Sequence, residues 1–395
     1  MVTTFTLTTG AVSPASPNSA ASLISACNSA FQSNFNNGGT VGGFLGLAPA
    51  GCQPPNLNDV VSQLRNPKYV EWNFEVEHRL NSKTVVSANY VGNKGYDELV
   101  QFPYLNGFGF GGLPTTPIDT RVKSVTQLQN TGVSNYNGIT VSLQEQVTHG
   151  LSGRFNYTYA HALDDISNGG ILPYSLSNSI IYQISPFSLR SLNYSNADYD
   201  LRHSLSASYV WDLPFKASNS LLSKAVGGWE VSGTFFYHTG FPFSVIDGTS
   251  MLANQGKNMQ FITVLGSPTT TVPRQCSSSA VTTPCFTTSQ FVPAGAATTF
   301  GTIPRNSFRG PGYFNTDLSL RKNFVVRERY GFMIGANAYN ILNHVNFANP
   351  VANLNAGSSF GTILSTVNPP TSPYGAFAAA AVDARIVQVI AKLTF

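Results

Sequence analysis

Two clusters of titratable side chains could carry acid–base chemistry. His161, Asp164 and Asp165 form an HxxDD motif. Histidine and carboxylate are the groups that most often move protons in general acid–base catalysis. Asp198, Asp200, Arg202 and His203 form the second cluster. Asp200 and Arg202 are two residues apart and can join through a charge-assisted hydrogen bond. Each cluster also has a structural reading. HxxDD can be a polar strand-to-loop transition, and the second cluster can be an inward-facing polar network. The glycine-rich run NGFGFGGLP, residues 106–114, has no following Gly-Lys-Ser/Thr and is not a phosphate loop. With Phe102, Tyr104, Phe108 and Phe110 interleaved, it can touch a ligand or pack on itself. No nucleophile elbow, metal-ligand spacing or dinucleotide fingerprint is present. The expectation is therefore no cofactor, no metal and no enzyme activity.

The four cysteines fall into two local pairs, Cys27 with Cys52 and Cys276 with Cys285, in Ser/Thr/Gly/Pro-rich surroundings. Neither pair has CxxC spacing or a nearby histidine. Two loop disulfides in an oxidising compartment fit better than a zinc site. Charged residues make up only 10% of the chain, against roughly 25% in ordinary soluble domains. Asn, Ser, Thr, Gly and Tyr take their place, as in β-structure with long polar loops. The net charge of +4 is dispersed, which argues against a nucleic-acid partner.

The elements that must position these residues are strands. Val387, Val389, Ala391 and Leu393 alternate with Gln388, Lys392 and Thr394 up to a terminal Phe395. Residues 69–80 place Val70, Trp72, Phe74 and Val76 on one face, and Glu71, Glu75 and Glu77 on the other. A dry core would bury those carboxylates unpaired, whereas a water-filled lumen accepts them. The same two-residue period recurs near residues 84–91, 139–147, 151–159, 201–213, 229–238, 314–324, 332–339 and 385–395. Leu205, Tyr209, Trp211, Phe235, Leu318, Leu320, Ile334 and Val389 join the apolar set, expected to meet lipid. Glu75, Glu77, Arg154, Arg202, Asp317 and Arg321 are expected to face inward. Trp72, Trp211 and Trp229 suit interface belts. The longest apolar run, residues 376–382, is too short for a spanning helix, so spanning would use strands.

The pattern predicts an all-β antiparallel transmembrane barrel meander of about nine to ten strands. Short turns alternate with long connections, so the short turns and the carboxyl end read as periplasmic. Residues 1–68 then read as an extracellular loop region with little order, and residues 69–395 as the barrel. Residues 1–10 show no secretory signal. An odd strand count with an outside start predicts a partial, open or imperfectly closed piece. The open edge of the first strand could be patched by residues 2–8 or by the last strand.

At this point a family resemblance is visible. Residues 66–95 (NPKYVEWNFEVEHRLNSKTVVSANYVGNKG) resemble barrel segments of Oar-like TonB-dependent outer-membrane receptors. So do residues 136–165, 198–215, 227–245 and 314–347, the last reading FNTDLSLRKNFVVRERYGFMIGANAYNILNHVNF. The resemblance implies a barrel of about 22 strands with an amino-terminal plug. It also implies a TonB box that couples to an inner-membrane energy complex, and active uptake of an unidentified extracellular ligand. Lipid of a Gram-negative outer membrane and the barrel-assembly machinery are the further expected partners, with Phe395 as the assembly signal. Two other readings stand beside it: a self-contained porin or adhesin barrel, and an outer-membrane hydrolase built on HxxDD.

Overall fold

The computed structural model describes residues 2–4, 17–109, 112–165, 167, 181–182, 189–215, 225–247, 264–292, 300–327, 330–367, 379–380 and 384–395. Before the main meander come β1 (Val2–Thr4), α1 (Pro17–Asn36), α2 (Val41–Leu47) and β2 (Asn56–Val60). The meander itself is β3 (Lys68–Arg79), β4 (Thr84–Phe102), β5 (Ser124–Thr148), β6 (Leu151–Asp164) and β7 (His203–Asp212), then β8 (Trp229–His238), β9 (Tyr313–Arg327), β10 (Tyr330–Tyr339) and β11 (Ile386–Thr394). Each pairs antiparallel with the next in chain order. The sheet is open: among the described residues β3 pairs only with β4, and β11 only with β10.

Turn chemistry fixes the register. Asn81 Oδ1 accepts from the backbone N–H of Lys83 (2.8 Å) and Thr84 (3.0 Å), an Asx-type turn that closes β3 onto β4. At the β5–β6 hairpin His149 (φ 52°) and Gly150 (φ 80°) both take positive φ, as a two-residue turn matching strand twist requires. A Cβ on Gly150 would lie 2.4 Å from the Asp212 carbonyl oxygen, so only glycine fits there. Directly paired residues share a face, and the ladder therefore sorts every strand. One row runs Val76, Ala88, Val141, Tyr157, Leu205, Tyr237, Phe314. Another runs Leu151, Trp211, Val231, Leu320, Ala336, Val389. All twelve residues expected on the apolar face, and all three tryptophans, fall on this side.

The structure departs from the sequence expectation in three places. The stretch 92–135 is not one long loop: β4 and β5 stay paired as far as Phe102 and Gln127, leaving a connection of residues 103–123. Residues 17–60 are organised rather than loose. Leu23, Cys27 and Phe31 recur at helical spacing on α1 and pack with Phe44 of α2, Leu57 of β2 and Val122. Thr40 caps α2 by accepting from the Gly43 N–H, and a disulfide joins Cys27 to Cys52. Val2–Thr4 does not patch β3. It pairs with β2, which adds parallel to the outer end of β5 beyond the point where β6 stops.

The long connections after β8 and after β10 build a core of their own. Phe243, Phe286, Phe291, Phe308 and Phe360 meet there, with Phe286 and Phe360 rings 4.8 Å apart. The disulfide Cys276–Cys285 closes one rim of this module. Removing a fully buried phenyl ring costs about 3–5 kcal/mol. Phe286→Ala is expected to open residues 264–292 to limited proteolysis while leaving the β-sheet circular dichroism signal intact. Parallel loss of both signals would show that the module and the ladder unfold as one unit.

Candidate functional site

The polar face of the sheet is the first candidate surface. The ladder sets Glu75 beside Asn89, Thr140, Thr158, Ser204 and His238. It sets Arg154 beside Gln144, Ser208, Thr234 and Asp317. Glu75, Glu77, Arg154, Asp317 and Arg321 thus share one side of the sheet. Arg154 donates to Gln144 Oε1 (2.9 Å), and Arg321 lies 3.6 Å from Glu230. Asp317 Oδ1 accepts from Asn315 Nδ2 (3.1 Å) and from the Asn340 N–H (2.8 Å). Gln144, Arg154, Asp317 and Arg321 line a cavity of ≈ 580 Å³ together with Ser232 and Asn337. Asn89 Oδ1, Asn315 Oδ1 and Arg321 Nε are buried on this side without a hydrogen-bond partner among the described residues.

The second candidate lies at the outer ends of β6 and β7. Here the two titratable clusters of the sequence meet two arginines from the connection before β9. Arg305 is 1% exposed and pairs with Asp164 at the end of β6. It also donates to the carbonyls of Ser167 (2.6 Å) and Asn193 (2.9 Å), and Asp198 lies 3.8 Å away. Arg309 pairs with Asp200 and donates to its carbonyl (3.0 Å). Arg202 reaches the same Asp200 carboxylate at 3.0 Å. Asn306 ties the strands further, donating to the Asn196 carbonyl (2.7 Å) and to Asp198 Oδ1 (2.7 Å). Asp165 Oδ1 accepts from the Val133 N–H (2.8 Å). Burial holds the Asp165 carboxyl up at about 6.

This arrangement is a latch. Its Asp164 and Asp200 carboxylates are occupied by guanidinium groups. Asp164 Oδ1 is taken up by Arg305 and Ser167. His161 Nε2 meets Asn196 Oδ1 (3.2 Å), not a carboxylate. The HxxDD residues are therefore not aligned as an acid–base relay. Arg202 Nη2 donates to Asn196 Oδ1 (3.1 Å), so Arg202 belongs to the network at the strand ends. Tyr104 of the glycine-rich stretch is buried against Phe102 and Phe300, and Phe110 lies outside the described residues. Arg305, Asn306 and Arg309 escaped the sequence reading because they sit more than a hundred residues from their partners. Among the described residues no group of three His, Cys, Asp or Glu is placed to hold a metal, and no helix is long and apolar enough to cross a membrane.

Breaking a buried pair from one side strands the other charge, at about 3–5 kcal/mol. Arg305→Met is expected to release residues 300–310 to protease. Asp165 gives a pH signature. Its folded form holds the proton more tightly than an ordinary carboxyl, so its stability contribution is complete below about pH 4 and lost as pH rises through about 6. Asp165→Asn is expected to gain up to about 2 kcal/mol over wild type between pH 4 and 7, read from paired melts. A difference independent of pH would contradict the burial argument.

Among solved structures, the outer membrane transporter YddB from Escherichia coli is 10% identical, with TM-score 0.42, covering 86% of this chain and 34% of that one. The ferripyoverdine receptor of the Pseudomonas aeruginosa outer membrane is 10% identical, with TM-score 0.39, covering 84% and 28%. BauA, the ferric preacinetobactin receptor from Acinetobacter baumannii, is 11% identical, with TM-score 0.36, covering 77% and 28%. The chain thus spans about a third or less of these structures. No curated protein sequence matches it. Residues 3–388 match the family described as outer membrane beta barrel domain. With its alternating strands, one apolar and one polar face, and no spanning helix among the described residues, the chain belongs to the outer membrane β-barrel domain family and resides in the outer membrane of a Gram-negative bacterium.

Proposed function

We propose that this chain forms the carboxyl-terminal part of the barrel of an Oar-like, TonB-dependent receptor that takes up an extracellular ligand. The plug and TonB box would be supplied by protein outside these residues. One observation carries the reading. Among the described residues the free edges of the meander belong to β3 and β11, and both strands run from the long-connection side to the short-turn side. Antiparallel closure between them needs further strands, and an odd number of them. A lipid-exposed open edge would leave backbone groups unpaired in hydrocarbon, so a larger barrel is favoured over a self-contained one. The unpartnered Asn89, Asn315 and Arg321 groups on the polar face support a lumen that is occupied or hydrated. The buried latch argues against the hydrolase reading. Phe395, 92% exposed at the end of β11, is available to the barrel-assembly machinery.

Two experiments test this. Expressed alone behind a signal peptide, residues 1–395 are expected not to give heat-modifiable, protease-resistant barrels in outer membranes. Recovery of such barrels would favour the porin or adhesin reading. The face assignment is tested separately. Leu320 lies on the apolar side and Ser319 on the polar side. An arginine facing mid-bilayer lipid costs about 2–4 kcal/mol. Leu320→Arg in the full-length receptor should block assembly and Ser319→Arg should not. Equal effects would overturn the assignment of faces.

A further inference from the structure

The outer strand ends bury a surplus of carboxyl groups. The ladder aligns Tyr69 of β3, Gly95 of β4, Ser134 of β5 and Asp164 of β6 in one cross-strand row. Just past that row the β4–β5 register breaks on both sides of Glu98, and Asp97 takes a φ of 56°. Such irregularities re-aim the side chains they carry. Here they fold Glu98 back over Gly95. A Cβ on Gly95 would lie 2.4 Å from Ser134 Oγ and 2.5 Å from Glu98 Oε1, so the missing side chain makes the room. Glu98 is 3% exposed, and its Oε1 accepts from Ser134 Oγ (3.0 Å). The Tyr69 hydroxyl also approaches this carboxyl. Glu98 Oε2 and Asp164 Oδ2 are both buried with no hydrogen-bond partner among the described residues. Asp165 and Asp198 are buried in the same cluster. Against these four carboxyl groups the described residues set one buried guanidinium, that of Arg305. The other cations at this rim have partners of their own: Lys68 pairs with Asp97 (3.3 Å), and Arg202 and Arg309 pair with Asp200. Tyr194 faces Asp164 and Asp165, with the exposed Arg190 near its hydroxyl.

We propose that this cluster is a pH-sensitive fastening: Glu98 and Asp165 hold protons while the latch is closed, and losing them loosens the outer module from the strand ends. Protonation removes the surplus charge at far lower cost than burying unpaired carboxylates. A proton on Glu98 also supplies a donor where two acceptor oxygens, Glu98 Oε2 and Asp164 Oδ2, lie buried without one. The arrangement favours protons over a metal ion, because no group of three His, Cys, Asp or Glu among the described residues is placed to hold one. The cluster lies beyond the bilayer. A tilted strand crosses with about 9–11 residues, and Glu98 sits past that length from the start of β4 at Thr84. Burial holds the Glu98 carboxyl above its ordinary range, as it holds Asp165 at about 6. Both effects have the same sign, since the closed form binds each proton more tightly than the open form. The fastening is therefore complete below about pH 4 and weakens as pH rises through about 6.

The 395-residue chain in neutral detergent micelles is followed by hydrogen–deuterium exchange between about pH 4 and about pH 8, with each amide corrected for its intrinsic rate. Protection of residues 300–310 is expected to fall as pH rises, by up to about a hundredfold, while residues 314–324 of β9 keep theirs. The Glu98→Gln/Asp165→Asn double variant retains the hydrogen bonds of the protonated groups. It should hold residues 300–310 at the acid level of protection throughout the range. Glu71→Gln, on β3 away from the cluster, should leave the wild-type profile unchanged. A flat wild-type profile would overturn the proposal, and that measurement decides even where the double variant does not fold. A double variant that keeps the wild-type slope would overturn it too, as would parallel loss of protection at residues 314–324. Millimolar calcium chloride should not restore protection at the alkaline end. Restoration would show that the cluster takes up a metal cation in place of protons.

Discussion

A strand in hydrocarbon has no water for its peptide groups, so every N–H and C=O must find a partner on the next strand. That requirement decides nearly everything else about this protein. It forces nine long strands into continuous antiparallel neighbours with little freedom of register. Register, once set, assigns each side chain to one of two faces, because the side-chain period is two. Trp72, Trp211 and Leu320 share a side for that reason, and Glu75, Arg154 and Asp317 share the other. The same requirement gives the free edges of β3 and β11 their meaning. They are the places where this sheet still has backbone to pair.

Outside the sheet the constraint lifts, and the chain uses other means. The connections are too long and too polar to be held by the ladder alone. Two apolar cores hold them, each tied by a disulfide. Phe31 and Phe44 anchor the helical segment before β2, and five phenylalanines anchor the module between β8 and β11. A small cluster of this kind buries limited apolar surface, and a covalent cross-link restricts the unfolded alternatives. The Arg305–Asp164 latch then fastens the second module to the end of β6. A buried ion pair adds little net stability, but it is costly to break from one side. It therefore fixes where the module sits rather than how strongly it folds.

The distribution of charge follows the same division. Carboxylates on the polar face of β3 meet neutral amides and hydroxyls across the ladder, while Lys68 and Lys94 stand at the outer end of the apolar face. Buried arginine–aspartate pairs lie in the connections, while Glu98 and Lys322 are buried within strands. The spanning part of the sheet is thus chemically simple, and the distinctive polar chemistry lies at its outer rim.

The sequence alone determined what depends on a short period. Alternation located all nine strands, and their faces followed, because a β-strand writes its environment into every second residue. Local turn residues such as Asn81 and His149–Gly150 were equally legible. The cysteines could be paired because each partner lies nearby in the chain. What only the tertiary structure decided was long-range or weakly patterned. The helices at 17–47 are rich in Ser, Asn and Gly, poor helix formers, and exist because Cys27, Phe31 and Phe44 pack together. The outer parts of β4 and β5 lose their clean alternation where β2 adds alongside β5, so their length was hidden. Above all, nothing near residue 305 announces a partner at residue 164. Charge pairing has no sequence period, and only the folded connections bring Arg305 onto Asp164 and turn an apparent catalytic motif into a structural latch.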